Sequence, residues 1–230
     1  MEKRDMVSML NDPKLETLLD RLHKQSDMQA DETNAAFARR EEEVAIDHED
    51  FYDVDMQRFL SDKMVALDRD KALFCYLLCR SLRATRVVEA GTSFGVSTLY
   101  LAAAVRDNQV ENGVVIGTEY EPKKVKIARA NFKEAGLSEF IDLREGDLRQ
   151  TLQDVGGTVD FVLVDIWEVA LPALERVAPH LLPGAIVACD NTTVDAAEYR
   201  DYFEFIYNPR NRFRTITVPF EGGFELSVRV

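Results

Sequence analysis

The chain has 230 residues, with 28 Lys or Arg against 41 Asp or Glu, a formal net charge of −13 and a pI near 4.8. Its length fits one domain with an appendage, at about 100–200 residues per domain, and 46% hydrophobic residues suffice for a sizeable core. The acidic balance argues against an electrostatic grip on nucleic-acid phosphates or anionic membranes. No apolar run reaches the ~18 residues of a spanning helix, and the charged N-terminus has no signal-peptide core, so a cytoplasmic protein is expected.

The first quarter carries most of the acidic excess and reads as helical. Leu15, Leu18, Leu19 and Leu22 recur at helical spacing after Asp12-Pro13, a capping pair, and the polar stretch around Arg39–Glu43 reads as a solvated helix or linker. A helical extension over 1–64 and a main domain over 65–230 are expected. An apolar helix over Asp70–Leu82 opens the main domain.

From Arg86 onward β-rich runs alternate with helical ones. Strands are expected at Arg86–Glu89, Val114–Glu119, Ile141–Glu145, Phe161–Asp165, Ala185–Cys189, Phe213–Val218 and Phe224–Val230. Helices are expected at Val96–Ala104, Pro122–Ala135, Leu148–Gln153, Leu171–His180 and Asp195–Phe205. This alternation predicts an α/β, doubly wound, mostly parallel seven-stranded sheet. The last two strands meet across Glu221-Gly222-Gly223 with no intervening helix and should form an antiparallel hairpin. Cys75, Cys79 and Cys189 read as buried free thiols, His180 as a partner of a helix C-terminus, and His23 and His48 as surface residues.

Ligands of such sheets bind beyond the carboxyl ends of the strands. The first strand ends in Glu89-Ala90-Gly91-Thr92-Ser93-Phe94-Gly95, where Gly91 and Gly95 permit a tight turn and close backbone approach; the spacing is not the dinucleotide fingerprint. The second ends at Glu119, whose carboxylate suits a ribose diol or serves as an N-terminal acid of the helix that starts at Pro122. The third is followed by Gly146-Asp147, an acid that either meets an adenine or caps the next helix. The fourth and fifth end at Asp165 and at Asp190-Asn191, hard oxygen donors that suit Mg²⁺ or cap a helix and a turn.

The segments Val87–Leu101, Thr118–Pro122 and Glu145–Asp147 resemble the class I methyltransferases that use S-adenosylmethionine, and more narrowly the catechol and caffeoyl-CoA O-methyltransferases. The resemblance covers about residues 65–230 and implies the Rossmann-like methyltransferase fold. It implies that Glu89, Gly91, Ser93, Gly95 and Ser97 line the methionine side of the cofactor, that Glu119 holds the ribose, and that Gly146 and Asp147 lie near the adenine. Asp165 would join the cofactor set and the catalytic set. Asp165, Asp190 and Asn191 would hold Mg²⁺ or another divalent cation, which lowers the pKa of a substrate hydroxyl.

The pattern departs from the animal catechol enzymes at Glu168, which stands where they carry a lysine base; the last lysine in the chain is Lys133. Glu168 is the candidate base, though an unperturbed Glu is a weak base for a phenol. Trp167, the single tryptophan, is a candidate wall of the substrate pocket or a core or dimer contact. The expected function is metal-dependent O-methylation of a small, diol-like aromatic, by a homodimer with no membrane or nucleic-acid partner. Two other readings are a methyltransferase acting on a hydroxylated tRNA base, for which only Arg210, Arg212 and Arg214 form a basic patch, and a non-enzymatic cofactor-binding protein.

Overall fold

The computed structural model describes residues 9–47, 51–167, 169–193 and 199–230. The chain divides into two compact units, Met1–Ala66 and Leu67–Val230.

In the first unit a single helix, α1 (Pro13–Asp47), runs 35 residues. Asp12 caps it by accepting from the Leu15 amide at 3.1 Å. The chain then returns along α1 through a short helix, α2 (Val54–Leu60). Two α1 side chains clip the return: Ser26 Oγ donates to the Met64 carbonyl at 2.9 Å, and Gln29 Oε1 accepts from the Met64 amide at 2.7 Å.

Arg40 departs from the solvated surface expected of its polar neighbourhood. Its side chain is buried, donates to the Phe51 carbonyl at 3.1 Å and pairs with Asp53 at 2.9 Å. Long guanidinium stems bury readily when their forks are satisfied. Arg40→Ala should therefore lower the unfolding free energy by about 2 kcal/mol in a urea titration of the full chain, whereas a solvated arginine would change it by less than about 0.5 kcal/mol. His23 is likewise buried rather than on the surface, beside Leu19 and Leu22 on α1; His48 lies outside the described residues.

The second unit opens on α3 (Arg69–Leu82) and then alternates: β1 (Arg86–Ala90), α4 (Val96–Asn108), β2 (Val114–Glu119), α5 (Pro122–Ala135), β3 (Ile141–Glu145), α6 (Leu148–Thr151), β4 (Val159–Val164), α7 (Ala170–Val177), β5 (Leu181–Asp190), α8 (Arg200–Tyr207), β6 (Phe213–Val218) and β7 (Phe224–Arg229). The seven strands form one sheet in the order β3-β2-β1-β4-β5-β7-β6. Strands β1 to β5 are parallel, and β7 lies antiparallel between β5 and β6. This is the doubly wound fold with its terminal hairpin.

Successive strand side chains point to opposite faces. Val88, Val162, Val164 and Val187 pack with Leu174 and Val177 of α7 and Tyr202 and Ile206 of α8 on one face. On the other face α3 and α4 lie against β1, β2 and β4. Because both faces are covered there, the central strands β1, β2, β4 and β5 are largely buried and mostly apolar, and each fully buried valine or phenylalanine contributes about 1.5–3 kcal/mol.

Several boundaries differ from the sequence reading: β4 runs over Val159–Val164 and not Phe161–Asp165, α4 continues to Asn108, and three more differences lie in the second half of the domain. Strand β5 begins at Leu181, so Pro183 and Gly184 lie inside it, where the pairing with β4 shifts register; a proline is tolerated at such an irregularity. Helix α7 stops at Val177, and a 3-10 turn over Ala178–His180 comes next, leaving His180 half-buried. Helix α8 starts at Arg200, and the expected start at Asp195 lies outside the described residues. All three cysteines are buried free thiols. No helix among the described residues is long and apolar enough to cross a membrane.

Candidate functional site

The strand order reverses between β1 and β4, which opens a crevice at their carboxyl ends. The register brings the strand ends level: Ala90 pairs with Thr118 and Val164, and Val164 with Cys189. Gly91, Glu119, Asp165 and Asp190 are thus the next residues along one edge.

At the end of β1, Glu89 is fully buried. Its Oε2 accepts from Thr92 Oγ1 at 2.8 Å and Thr98 Oγ1 at 2.5 Å, while its Oε1 has no hydrogen-bond partner. Burial pushes this carboxyl above the usual range, opposed by the hydroxyls of Thr98, Ser97 and Thr92. Gly117 on β2 makes room for the pair, since a Cβ there would lie 2.5 Å from Thr92 Oγ1.

The loop after β1 is held in strained backbone. Gly91 has φ +98°, and a Cβ on it would fall 2.1 Å from the Asp165 carbonyl oxygen. Ser93 takes φ 50°, unusual for a residue with a side chain. Gly95, φ +84°, lies under the Phe132 ring. Gly91→Ala should cost about 3 kcal/mol or more by combining the positive φ with a backbone clash, read as a lowered urea midpoint. A loss below about 1 kcal/mol would mean that the loop is not packed on the end of β4.

Glu119 ends β2 and ties two loops together. Oε2 accepts from the Ser93 amide at 2.7 Å and Oε1 from the Glu121 amide at 2.8 Å. Each oxygen keeps a second acceptor direction for a diol. Gly146 succeeds β3 at φ +128°, and Asp147 caps α6, accepting from the Arg149 amide at 2.8 Å, with the Arg149 guanidinium 3.3 Å away. The helix-cap reading of Asp147 is thus met.

Asp165 and Asp190 stand next to each other across the ends of β4 and β5. Burial, then the neighbouring Asp190 and Glu89 carboxylates, push Asp165 well above the usual range. Asn191 is half-buried at φ 61°. Trp167 is half-buried and packs against the core beside α7. Glu168 lies outside the described residues.

One residue of this edge was missed from the sequence. Lys71 reaches in from α3, only 2% exposed, with Nζ 2.7 Å from Asp190 Oδ1 and 3.2 Å from Asp68 Oδ2. The Asp190 contact is close in distance but poorly directed as a hydrogen bond. Burial opposes the ammonium, and Asp190 and Asp68 outweigh it, so Lys71 is held above its ordinary value and charged. Asp190 itself is raised by burial, partly offset by Lys71. A signal was available: Lys71, Cys75 and Cys79 recur every four residues on one face of an apolar helix, and both cysteines are buried.

The residues around β1 and β2 fit the cofactor implied by the resemblance. A buried carboxylate oxygen without a partner, beside a glycine loop and a diol-ready acid, suits a ligand with an ammonium, a sulfonium and a ribose. The divalent ion fits less well. Asp165, Asp190 and Asn191 offer the right hard oxygens, but the Asp190 arm already faces the Lys71 ammonium, and a second cation there would meet a like charge. Away from this edge, Arg210, Arg212 and Arg214 are exposed before and on β6.

In fold, this domain is similar to solved methyltransferase structures. Residues 88–192 match a family model described as a methyltransferase domain. The chain is 32% identical over 129 residues to a catechol O-methyltransferase of Mycobacterium tuberculosis, covering 55% of this chain and 57% of that one. It is 28% identical over 136 residues to a catechol O-methyltransferase of Niastella koreensis, covering 57% and 60%. The chain therefore spans about three fifths of the length of these curated relatives. An O-methyltransferase from Bacillus cereus, solved in complex with SAH, superposes with a TM-score of 0.65 over 86% of this chain and 99% of that one; at 21% identity this likeness is one of fold.

Proposed function

We propose that this domain is an S-adenosylmethionine-dependent O-methyltransferase acting on a small aromatic with neighbouring hydroxyls. The observation that carries the reading is the buried Glu89 carboxylate, whose Oε1 lacks a partner at the switch point of the sheet. Glu89, Asp165 and Asp190 outnumber the single Lys71 there, and a cationic ligand relieves the excess. The catechol O-methyltransferases among its relatives support the acceptor class.

S-adenosylmethionine supplies an electrophilic methyl group, which an acceptor oxygen takes by in-line displacement while the C–S electron pair leaves on sulfur. The chain's share is placement. Glu119 orients the ribose and, through the Ser93 amide, fixes the loop that lies over the cofactor. Glu89 meets the positive end of the methionine portion. Asp165, Asp190 and Asn191 form the acceptor edge on the neighbouring strands, and the acceptor's hydroxyl proton passes to water. Holding the two reactants in line replaces an encounter in solution with a local step, the largest saving available to a displacement of this kind.

Incubation of the full chain with methyl-labelled S-adenosylmethionine and a panel of ortho-diols, monohydroxy aromatics and bulk tRNA tests the reading. Label is expected in ortho-diols and absent from tRNA. Label in tRNA alone, or in no acceptor, would overturn it.

A further inference from the structure

We propose that the Lys71 ammonium is the resident cation of the acceptor edge, occupying the Asp190 arm that a divalent ion would otherwise take, so that methyl transfer by this chain needs no divalent metal. The inference rests on the O-methyltransferase reading and deepens it. Four observations support it. Lys71 and Asp190 are both buried and 2.7 Å apart. Asp190 ends β5 beside Asp165 at the end of β4, so one ammonium stands against the edge that both acids form. The lysine is also paired with Asp68, the residue that precedes α3, at 3.2 Å. Finally, an ammonium has three donors. The Asp190 contact is close without being a well-directed hydrogen bond, so those donors are not all committed to the two carboxylates and can meet a ligand oxygen.

In this arrangement Lys71 supplies what a metal supplies at such an edge. It places a fixed positive charge in a dry site beside the oxygen on which negative charge develops. It adds no covalent step: the acceptor's proton still goes to water, the O–C bond forms and the C–S pair leaves on sulfur. It also accounts for the missing lysine after Asp165. The charge comes from the helix that opens the domain rather than from the loop after β4.

The test has two independent readouts on the full chain. The first is the rate of methyl transfer to catechol with EDTA or with Mg²⁺. The second is binding of Mn²⁺ alone, monitored by water proton relaxation, which does not require any acceptor to be turned over. Wild-type protein is expected to transfer methyl equally with EDTA and with Mg²⁺, and to bind no Mn²⁺ saturably below about 1 mM. Lys71→Met should lose about 100-fold in turnover, with S-adenosylmethionine affinity unchanged, and should gain Mn²⁺ binding through the released Asp165 and Asp190 carboxylates. Lys71→Arg, which keeps the charge, should remain Mn²⁺-insensitive even where turnover falls.

Loss of wild-type activity in EDTA with recovery in Mg²⁺, or saturable Mn²⁺ binding by the wild type, would overturn the proposal. If no acceptor is methylated under any condition, the O-methyltransferase reading fails by itself, and the Mn²⁺ measurements still decide whether Lys71 holds the cation position. The wild-type and Lys71→Arg measurements stand even if Lys71→Met fails to fold.

Discussion

Glu119→Ala is expected to weaken S-adenosylmethionine binding about 100-fold while leaving the sheet folded. The carboxylate accepts one backbone amide on each oxygen, from Ser93 and Glu121, and each oxygen keeps a further lone pair with which it can accept from a ligand diol. Two hydrogen bonds to a charged acceptor are worth about 1.5 kcal/mol each, and about 3 kcal/mol is about two orders of magnitude in Kd. The same change frees the Ser93 amide, so the loop that must lie over the cofactor loses its tether at a position already strained at φ 50°. Glu119 is only half-buried, so water can satisfy both amides and the stability cost should stay near 1 kcal/mol. Glu119→Gln keeps the shape and one acceptor and should fall about 10-fold. Isothermal titration calorimetry separates these outcomes, and a Kd within about threefold of wild type for Glu119→Ala would remove Glu119 from the cofactor site.

The largest stability effect is expected at Asp190. Replacing it by alanine leaves the Lys71 ammonium buried with only the exposed Asp68 as a partner, and an uncompensated buried charge costs about 3–5 kcal/mol. Removing the lysine instead leaves Asp190 beside Asp165 with no positive charge between them. The double variant Lys71→Met/Asp190→Ala removes both charges, so its cost should fall short of the sum of the single costs by at least about 2 kcal/mol. Urea titrations of the four proteins close the cycle. Additivity within about 0.5 kcal/mol would show that the two groups do not sense each other and would undo the electrostatic description of this edge.

Most of the main domain was legible because parallel strands covered on both faces leave an unmistakable trace. Val114–Glu119 is legible from its β-branched run, Ile141–Glu145 from its place between a helix-ending glycine and Gly146, and Pro122–Ala135 from its N-terminal proline and trailing glycine; the structure has all three with the expected bounds. The acids Glu119, Asp165 and Asp190 stood out because each closes a strand, and strand ends are where this architecture keeps its chemistry. Strand β5 was cut short because Pro183-Gly184 reads as a stop, although a register shift absorbs it. Lys71 was missed for a different reason. No lysine lies downstream of Asp165, while the fold brings β5 against a helix from the opposite end of the domain. Only tertiary packing makes those two residues neighbours. Arg40 hid in the same way: its polar surroundings in α1 gave no hint that the returning segment at Phe51 and Asp53 would cover it.

A single-turnover measurement tests the O-methyltransferase assignment most directly. The full chain, loaded with one equivalent of methyl-labelled S-adenosylmethionine, is mixed with excess catechol, and the products are identified by mass and by the position of the label. Appearance of the mono-O-methyl product in step with an equal amount of S-adenosylhomocysteine is the predicted result. A cofactor that stays bound and intact in the presence of catechol and the other ortho-diols, or a methyl group found on carbon or nitrogen, would contradict it.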